Sequence, residues 1–150
     1  MAAVVEDARP KDLEAMYKIE KDCFDDEAFT KEQIAHLMED YNTVSLVARI
    51  GTELAGFVIG MVYIDRRALQ GHILTIDVAP AHRRKGIGRM LMSAIESIFR
   101  AKGVTASFLE VREDNSPAIG LYSRLGYRII GRLDHYYGKF HGVYLSKTLT

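Results

Sequence analysis

The chain has 150 residues, and its 20 basic and 20 acidic side chains give a formal net charge of zero at pH 7. Its 48% hydrophobic content is ordinary for a globular protein, and its length fits one domain spanning residues 1–150. The balanced charge excludes a molecule-wide surface for nucleic acid or an anionic membrane, so any anion site must be local.

The cysteine count and the hydropathy of the sequence indicate the cellular compartment of the protein. The single cysteine, Cys23, excludes an intramolecular disulfide, and no Cys/His cluster has zinc spacing, so we expect no metal. The first 15 residues lack the apolar centre of a signal peptide. The most apolar stretch, residues 54–64, is about half the length needed to cross a bilayer. We therefore expect a cytoplasmic protein.

The first third of the chain predicts a short strand followed by two helices. Residues 2–9 favour the strand, and after Pro10 apolar side chains recur at helical spacing: Leu13, Met16, Ile19 and Cys23. Thr30 and Gln33 match a capping box, in which each side chain satisfies the other residue's amide. A second helix should begin there and turn Ile34, Leu37 and Met38 inward.

The next segment predicts an antiparallel meander. Its three strands are expected at Thr43–Ile50, Leu54–Ile64 and His72–Ala79, with turns at residues 51–53 and 65–71. Gly56 and Gly60 lie inside the second strand, where glycine often marks a bulge or a close backbone approach.

The remaining elements alternate between helix and strand. A helix is predicted from the spacing of Ile87, Leu91, Ile95 and Ile98, ending at Gly103. A strand follows at Ser107–Arg112. A helix then starts with Ser116 as N-cap and Pro117 in its first position, turns Ala118, Leu121, Tyr122 and Leu125 inward, and stops at Gly126. Strands at Tyr127–Leu133 and Val143–Leu149 close the chain.

This order predicts an α/β (α+β) fold, with a mixed, mostly antiparallel twisted sheet and flanking helices. The connection from the third meander strand to Ser107–Arg112 should be a parallel, right-handed crossover.

The sequence RRKGIG, residues 83–88, lies between that third strand and the following helix. It lacks the spacing of a Walker A loop, and Leu91 stands where a dinucleotide fingerprint needs its third glycine. Two interpretations stay open on the hexapeptide alone. It is either a solvated turn or a nest of backbone amides and cations that binds a pyrophosphate.

Two longer blocks resemble a known family. Val78-Ala79-Pro80, then residues 83–88, then Leu91 resemble the pyrophosphate-binding motif of the GNAT superfamily of acyl-CoA-dependent N-acyltransferases. The sequence LEVREDNSPAIGLYSRLGY, residues 109–127, resembles a block of RimI-type protein N-terminal acetyltransferases. Both motifs in the right order and spacing are far more specific than either alone, and the GNAT fold agrees with the predicted elements.

The resemblance implies a site for acetyl-CoA. The third meander strand and Ser107–Arg112 should splay apart, with the pantetheine arm in the opening. Main-chain contacts are expected from Ile76, Asp77 and Val78, and a side-chain contact from Asn115. The pyrophosphate is expected at the turn formed by Arg83, Arg84, Lys85, Gly86, Ile87, Gly88 and Arg89.

The resemblance also implies two catalytic side chains. Glu110 would be the general base. Its side chain points opposite to those of its strand neighbours, and the alternative is an exposed carboxylate paired with Arg112 or Lys147. Tyr122 would contact the cofactor and give a proton to the coenzyme A sulfur; the alternative is a core tyrosine, and both roles are compatible.

The acceptor site is expected between two aromatic segments. Tyr136 and Tyr137 resemble a tyrosine-bearing loop over the acceptor, or else cover the sheet from a hairpin. Phe24 and Phe29 could line the slot. Acids at residues 25–27 either attract a cationic N-terminus or form a solvated turn. We interpret His72 and His135 as polar sheet or surface residues.

The expected reaction moves the acetyl group of acetyl-CoA to the N-terminal α-amine of a protein or peptide, by direct attack in a ternary complex. The RimI-type resemblance implies ribosomal-protein-alanine acceptors. A homodimer and a ribosome-associated substrate stay open. The alternatives are a lysine or a small-molecule amine as acceptor, or a coenzyme A-binding module without catalysis.

Overall fold

A computed structural model describes residues 2–150. Within these residues, seven strands and four helices follow one another, with short 3₁₀ turns between some of them. In chain order they are β1 (Val4–Asp7), α1 (Leu13–Phe24), α2 (Lys31–Glu39), β2 (Thr43–Ile50), β3 (Glu53–Asp65), β4 (Ala68–Val78), α3 (Ile87–Ala101), β5 (Ala106–Arg112), α4 (Ser116–Arg124), β6 (Arg128–Tyr137) and β7 (Phe140–Thr148).

The strands form one sheet in the order β1-β2-β3-β4-β5-β7-β6. Every pairing is antiparallel except that of β4 with β5, which is parallel. The predicted mixed sheet, its meander and its parallel crossover are therefore confirmed.

Helix α3 packs on one face of the sheet. Leu91, Met92, Ile95 and Phe99 are fully buried there, as an apolar stripe at helical spacing requires. The helix lies so close that a Cβ on Gly71 would stand 2.5 Å from the Phe99 ring, and one on Gly60 would stand 2.7 Å from Ile95. The prediction of a close approach at Gly60 is confirmed.

Helices α1 and α2 cover part of the opposite face. Met16, Ile19 and Ile34 pack against Phe57 and Ile59 of β3 in a second core cluster. The predicted capping box is present, since the Thr30 hydroxyl accepts from the Gln33 amide at 3.1 Å while Gln33 Oε1 accepts from the Thr30 amide at 2.8 Å.

Strands β4 and β5 pair for only three residues and then separate. Gln70, Gly71 and His72 face residues 106–108, and no later residue of β4 pairs with β5. Along the β3 edge, Ile59 pairs with Thr75 and Gly60 with Ile73, which leaves Leu74 as an extra residue in a β-bulge. Because bulges bend a strand and end regular pairing, Leu74 explains why the opening begins here. The predicted splay is confirmed.

The predicted start of β4 and the predicted N-cap of α4 were wrong. The turn expected at residues 65–71 consists of Arg66 and Arg67 alone, both with positive φ, so β4 starts at Ala68. A two-residue hairpin turn without glycine or asparagine lacks the usual sequence signal. The N-cap of α4 is Asn115, whose Oδ1 accepts from the Ala118 amide at 3.2 Å, so Ser116 is already the first helical residue.

The last two strands are longer than expected. β6 runs on to Tyr137 and β7 begins at Phe140, because the polar segment between them forms a tight hairpin rather than a loop. Within residues 2–150, no helix combines the length and the hydropathy needed to span a membrane.

Candidate active site

A cleft of about 550 Å³ opens where β4 and β5 separate. Its walls come from both strands, from α1 and the segment after it, from the start of α4 and from the end of β6. The structure brings eight of the predicted site residues to this cleft: Phe24, Phe29, Ile76, Glu110, Asn115, Tyr122, Tyr136 and Tyr137.

Glu110 projects from β5 away from α3. Its neighbours Leu109 and Val111 are buried in the core under α3, so strand alternation turns Glu110 to the cleft. Its side chain is 14% exposed, and both carboxylate oxygens lie within hydrogen-bonding distance of His72 Nε2, at 2.8 and 2.9 Å. The predicted alternative partners were wrong, since Arg112 pairs with Asp114 and Lys147 with Glu96.

Tyr122 projects from α4 and lines the cleft. It is 7% exposed, and its ring meets that of Tyr127 edge-on at 6.1 Å between centroids. Burial raises the pKa of the Tyr122 phenol above its usual value, so the hydroxyl keeps its proton at neutral pH. The ring packs in the core while the side chain also lines the cleft, so both predicted roles are compatible with its position.

The β6–β7 hairpin forms one side of the cleft entrance. Tyr136 is 53% exposed and Tyr137 half-buried, and their rings lie edge to face at 4.9 Å. The guanidinium of Arg112 lies 3.5 Å from the ring centroid of Phe140, which fixes the hairpin against the end of β5. Tyr136 and Tyr137 therefore belong to a hairpin and also line the cleft, so the two predicted alternatives do not exclude each other.

Residues 25–30, here called the α1–α2 loop, also contribute to the wall of the cleft. Phe29 lines the cleft from this loop and Phe24 from the end of α1. Of the three acids at residues 25–27, Glu27 also lines the cleft, and its Oε1 accepts from Arg112 Nη1 at 3.1 Å. Asp25 and Asp26 are exposed, as a solvated turn predicts.

The turn of residues 83–89 lies beyond the end of β4, outside the lining of the cleft. Arg84 and Gly86 have left-handed backbones, with φ of 63° and 80°. Gly86 is the N-cap of α3, and the first turn of α3 has neither a side-chain cap nor an acidic residue. In α2 and α4, by contrast, Thr30 and Asn115 occupy the helix start. An uncapped amino terminus among exposed cations fits a pyrophosphate.

Four other predicted cofactor residues lie outside the lining of the cleft, and their contacts are as follows. The side chain of Asp77 is buried on the α1 side of β4, so only its main chain can face a ligand. The guanidinium of Arg83 donates to the Val78 carbonyl oxygen at 3.3 Å, and the side chain of Ile87 is buried in the core. Gly88 lies against α4, where an added Cβ would stand 3.2 Å from Leu121.

The sequence interpretation missed three polar residues of the site: His72, Glu20 and Thr75. Glu20 is 1% exposed and lines the cleft, and its Oε1 accepts from the Thr75 hydroxyl at 2.9 Å. A glutamate on the otherwise apolar stripe of α1 was the available signal for Glu20. The other two carry no local signal.

Among residues 2–150, no three His, Cys, Asp or Glu side chains are grouped so as to hold a metal ion.

Comparison with known proteins identifies one family and several relatives. The model of the acetyltransferase (GNAT) family matches residues 13–127. An N-alpha-acetyltransferase of Sulfurisphaera tokodaii is 30% identical over 153 residues, which cover 94% of this chain and 89% of the relative.

Two solved structures superimpose over nearly the whole chain. Ard1 from Thermoplasma volcanium has a TM-score of 0.91 and 28% identity, covering 100% of this chain and 99% of its own. The ribosomal-protein-S18-alanine N-acetyltransferase of Escherichia coli has a TM-score of 0.88, covering 99% and 95%, and at 23% identity it shows the shared fold alone.

Proposed function

The chain belongs to the GNAT family of acetyl-CoA-dependent acetyltransferases, and from this we propose that it acetylates the N-terminal α-amine of a protein or peptide. The name of the Sulfurisphaera relative supports an α-amine as acceptor. The observation that carries the proposal is that a carboxylate, Glu110, and a protonated phenol, Tyr122, line one cleft between two separated strands.

The cofactor would enter this opening with its pyrophosphate at the turn of residues 83–89. The uncapped start of α3 and the left-handed Gly86 support that placement. The unpaired edge of β4 supports main-chain contacts from Ile76 to Val78. Bound there, acetyl-CoA supplies an activated acetyl group as a thioester.

Glu110 acts as the general base. In the reaction the amine nitrogen bonds to the acetyl carbon and the carbon–sulfur bond breaks, so the amine must lose a proton. Glu110 accepts it directly or through a water, and His72 holds the carboxylate in place through its Nε2 contact. An α-amine, with a pKa of about 8, needs less help than a lysine amine at about 10.4.

Tyr122 acts as the general acid. Its buried hydroxyl gives a proton to the departing sulfur as the carbon–sulfur bond breaks. The phenol is protonated at neutral pH, so it has a proton to give as negative charge develops on the sulfur.

The acceptor N-terminus lies between the α1–α2 loop and the β6–β7 hairpin. Phe24, Phe29, Tyr136 and Tyr137 supply apolar and aromatic surface, and Glu27 adds negative charge. We extend the proposal to ribosomal-protein-alanine acceptors in the cytoplasm, supported by the RimI-type block at residues 109–127.

The test measures thiol release from acetyl-CoA with short peptides and locates the acetyl group by mass spectrometry. Peptides with free N-termini should be acetylated at the α-amine, and a set that varies the first residue should favour alanine. Matched peptides with a blocked N-terminus and an internal lysine, together with small polyamines, are the controls. Acetylation of those controls alone, or cofactor binding without any transfer, would overturn the proposal.

A further inference from the structure

A buried carboxylate outside the proposed chemistry links α1 to the α1–α2 loop and to β4. Glu20 Oε2 accepts from the Phe29 amide at 3.0 Å, and its Oε1 accepts from the Thr75 hydroxyl at 2.9 Å. Glu20 is 1% exposed, and it forms no ion pair with any side chain that the structure describes. A buried charge without a cation depends on hydrogen bonds for its stability.

Asp77 completes this cluster. It is also 1% exposed, and its Oδ1 lies 2.6 Å from the Thr75 hydroxyl oxygen. One hydroxyl has one proton and cannot donate to both acids. A proton on Asp77 resolves this, because Asp77 can donate to the Thr75 oxygen while Thr75 donates to Glu20. Burial and the neighbouring Glu20 raise the pKa of Asp77 well above its usual value, which agrees with this arrangement.

The α1–α2 loop is consequently fastened to both sides of the opening. On the β4 side, Glu20 connects the Phe29 amide to Thr75, next to the bulge at Leu74. On the β5 side, Glu27 binds Arg112 at 3.1 Å. The Glu20 attachment is buried, whereas the side chains of Glu27 and Arg112 are 26% and 32% exposed. Water competes less for a buried hydrogen bond, so Glu20 is the stronger of the two attachments.

We propose that Glu20 is a positioning residue for the acceptor, which sets the place of Phe29 and the α1–α2 loop relative to the separated strands. This inference rests on the proposed function, in which Phe29 lines the acceptor slot. Glu20 acts through the loop and does not touch the reacting atoms. Its loss should therefore weaken acceptor binding much more than binding of acetyl-CoA.

The test is Glu20→Leu. Leucine fills much of the same volume but has no acceptor for the Phe29 amide or the Thr75 hydroxyl. We expect the peptide KM to rise by roughly tenfold or more, the cost of losing a hydrogen bond to a buried charge. The acetyl-CoA Kd should stay within about twofold, because the loop that moves contacts the acceptor and not the cofactor. Hydrogen exchange at the Phe29 amide should accelerate, while the amides of α3 stay protected.

Glu14→Leu is the matched control. Glu14 also lies on α1 and pairs with Lys31 of α2, but its side chain is 74% exposed and outside the cleft. This variant should leave both binding constants and the exchange of Phe29 unchanged.

Parallel rises in the peptide KM and acetyl-CoA Kd would overturn the proposal, as would unchanged exchange at Phe29. Should Glu20→Leu not fold, Glu20→Asp takes the same test, because the shorter carboxylate cannot reach both donors. Hydrogen exchange at the Phe29 amide is measured without any acceptor peptide, so it tests the role of Glu20 even if no acceptor is known. If the wild-type protein transfers no acetyl group to any peptide, the proposed function is refuted independently of that measurement.

Discussion

Replacing Gly86 by valine tests the proposed pyrophosphate turn. Gly86 has φ of 80°, and a Cβ added there would meet nothing within 4 Å. A Cβ at this position meets no protein atom, so we expect the effect of the substitution to come from backbone conformation. The left-handed conformation costs a residue with a Cβ roughly 1–2 kcal/mol, and a β-branched residue suffers most.

This cost should appear in cofactor affinity. Gly86 is exposed, so without cofactor the turn of Gly86→Val can relax to negative φ. The first amides of α3 would then no longer point toward the proposed pyrophosphate position. Binding must then restore the left-handed turn. A cost of roughly 1–2 kcal/mol corresponds to a rise in the acetyl-CoA Kd of about 5- to 30-fold.

Isothermal calorimetry with acetyl-CoA measures this change, and Gly86→Asn is the matched control. Asparagine adopts the left-handed region more readily, so it should keep most of the affinity although it also adds a Cβ. Equal losses for valine and asparagine, or no loss for valine, would refute the reasoning.

Three further predictions concern single side chains of the cleft. Glu110→Gln should lower kcat by roughly 10²- to 10⁴-fold and recover partly as the pH approaches the amine pKa of about 8; an unchanged pH–rate profile would contradict a base. Tyr122→Phe should lower kcat with little change in acetyl-CoA affinity, whereas lost affinity would indicate a packing role alone. Asp77→Asn should change the pH dependence of stability. The pKa of Asp77 is raised above 3.8, so its contribution is complete below that pH and is lost as pH rises through the folded-state pKa. In urea unfolding, the variant should gain stability relative to wild type as the pH rises above 3.8 and through the folded-state pKa of Asp77, and parallel curves would refute a proton on Asp77.

Local patterns were enough to predict much of the fold. The helical spacing of Leu91 and Ile95, the capping box at Thr30 and the stop at Gly103 each act within a few residues, and all of them are present in the structure. The turn before β4 was predicted too long because its two left-handed residues, Arg66 and Arg67, are neither glycine nor asparagine, the usual signals of a two-residue hairpin turn.

Local patterns also predicted which way two side chains of the candidate site point. Glu110 and Tyr122 stand in a motif with fixed spacing, so their faces followed from strand alternation and helix periodicity. His72 had no such motif. Its contact with Glu110 joins residues 38 positions apart and depends on how β4 lies beside β5.

By itself, the sequence determined the order of elements, the inner faces of the helices and the uncapped, cationic turn before α3, because each depends on neighbours along the chain. Only the tertiary structure decided which polar groups meet. The extra residue at Leu74 puts Thr75 on the α1 face, beside a glutamate 55 residues away. A one-residue change of register reverses every side chain that follows, and that register is set by packing across the whole sheet.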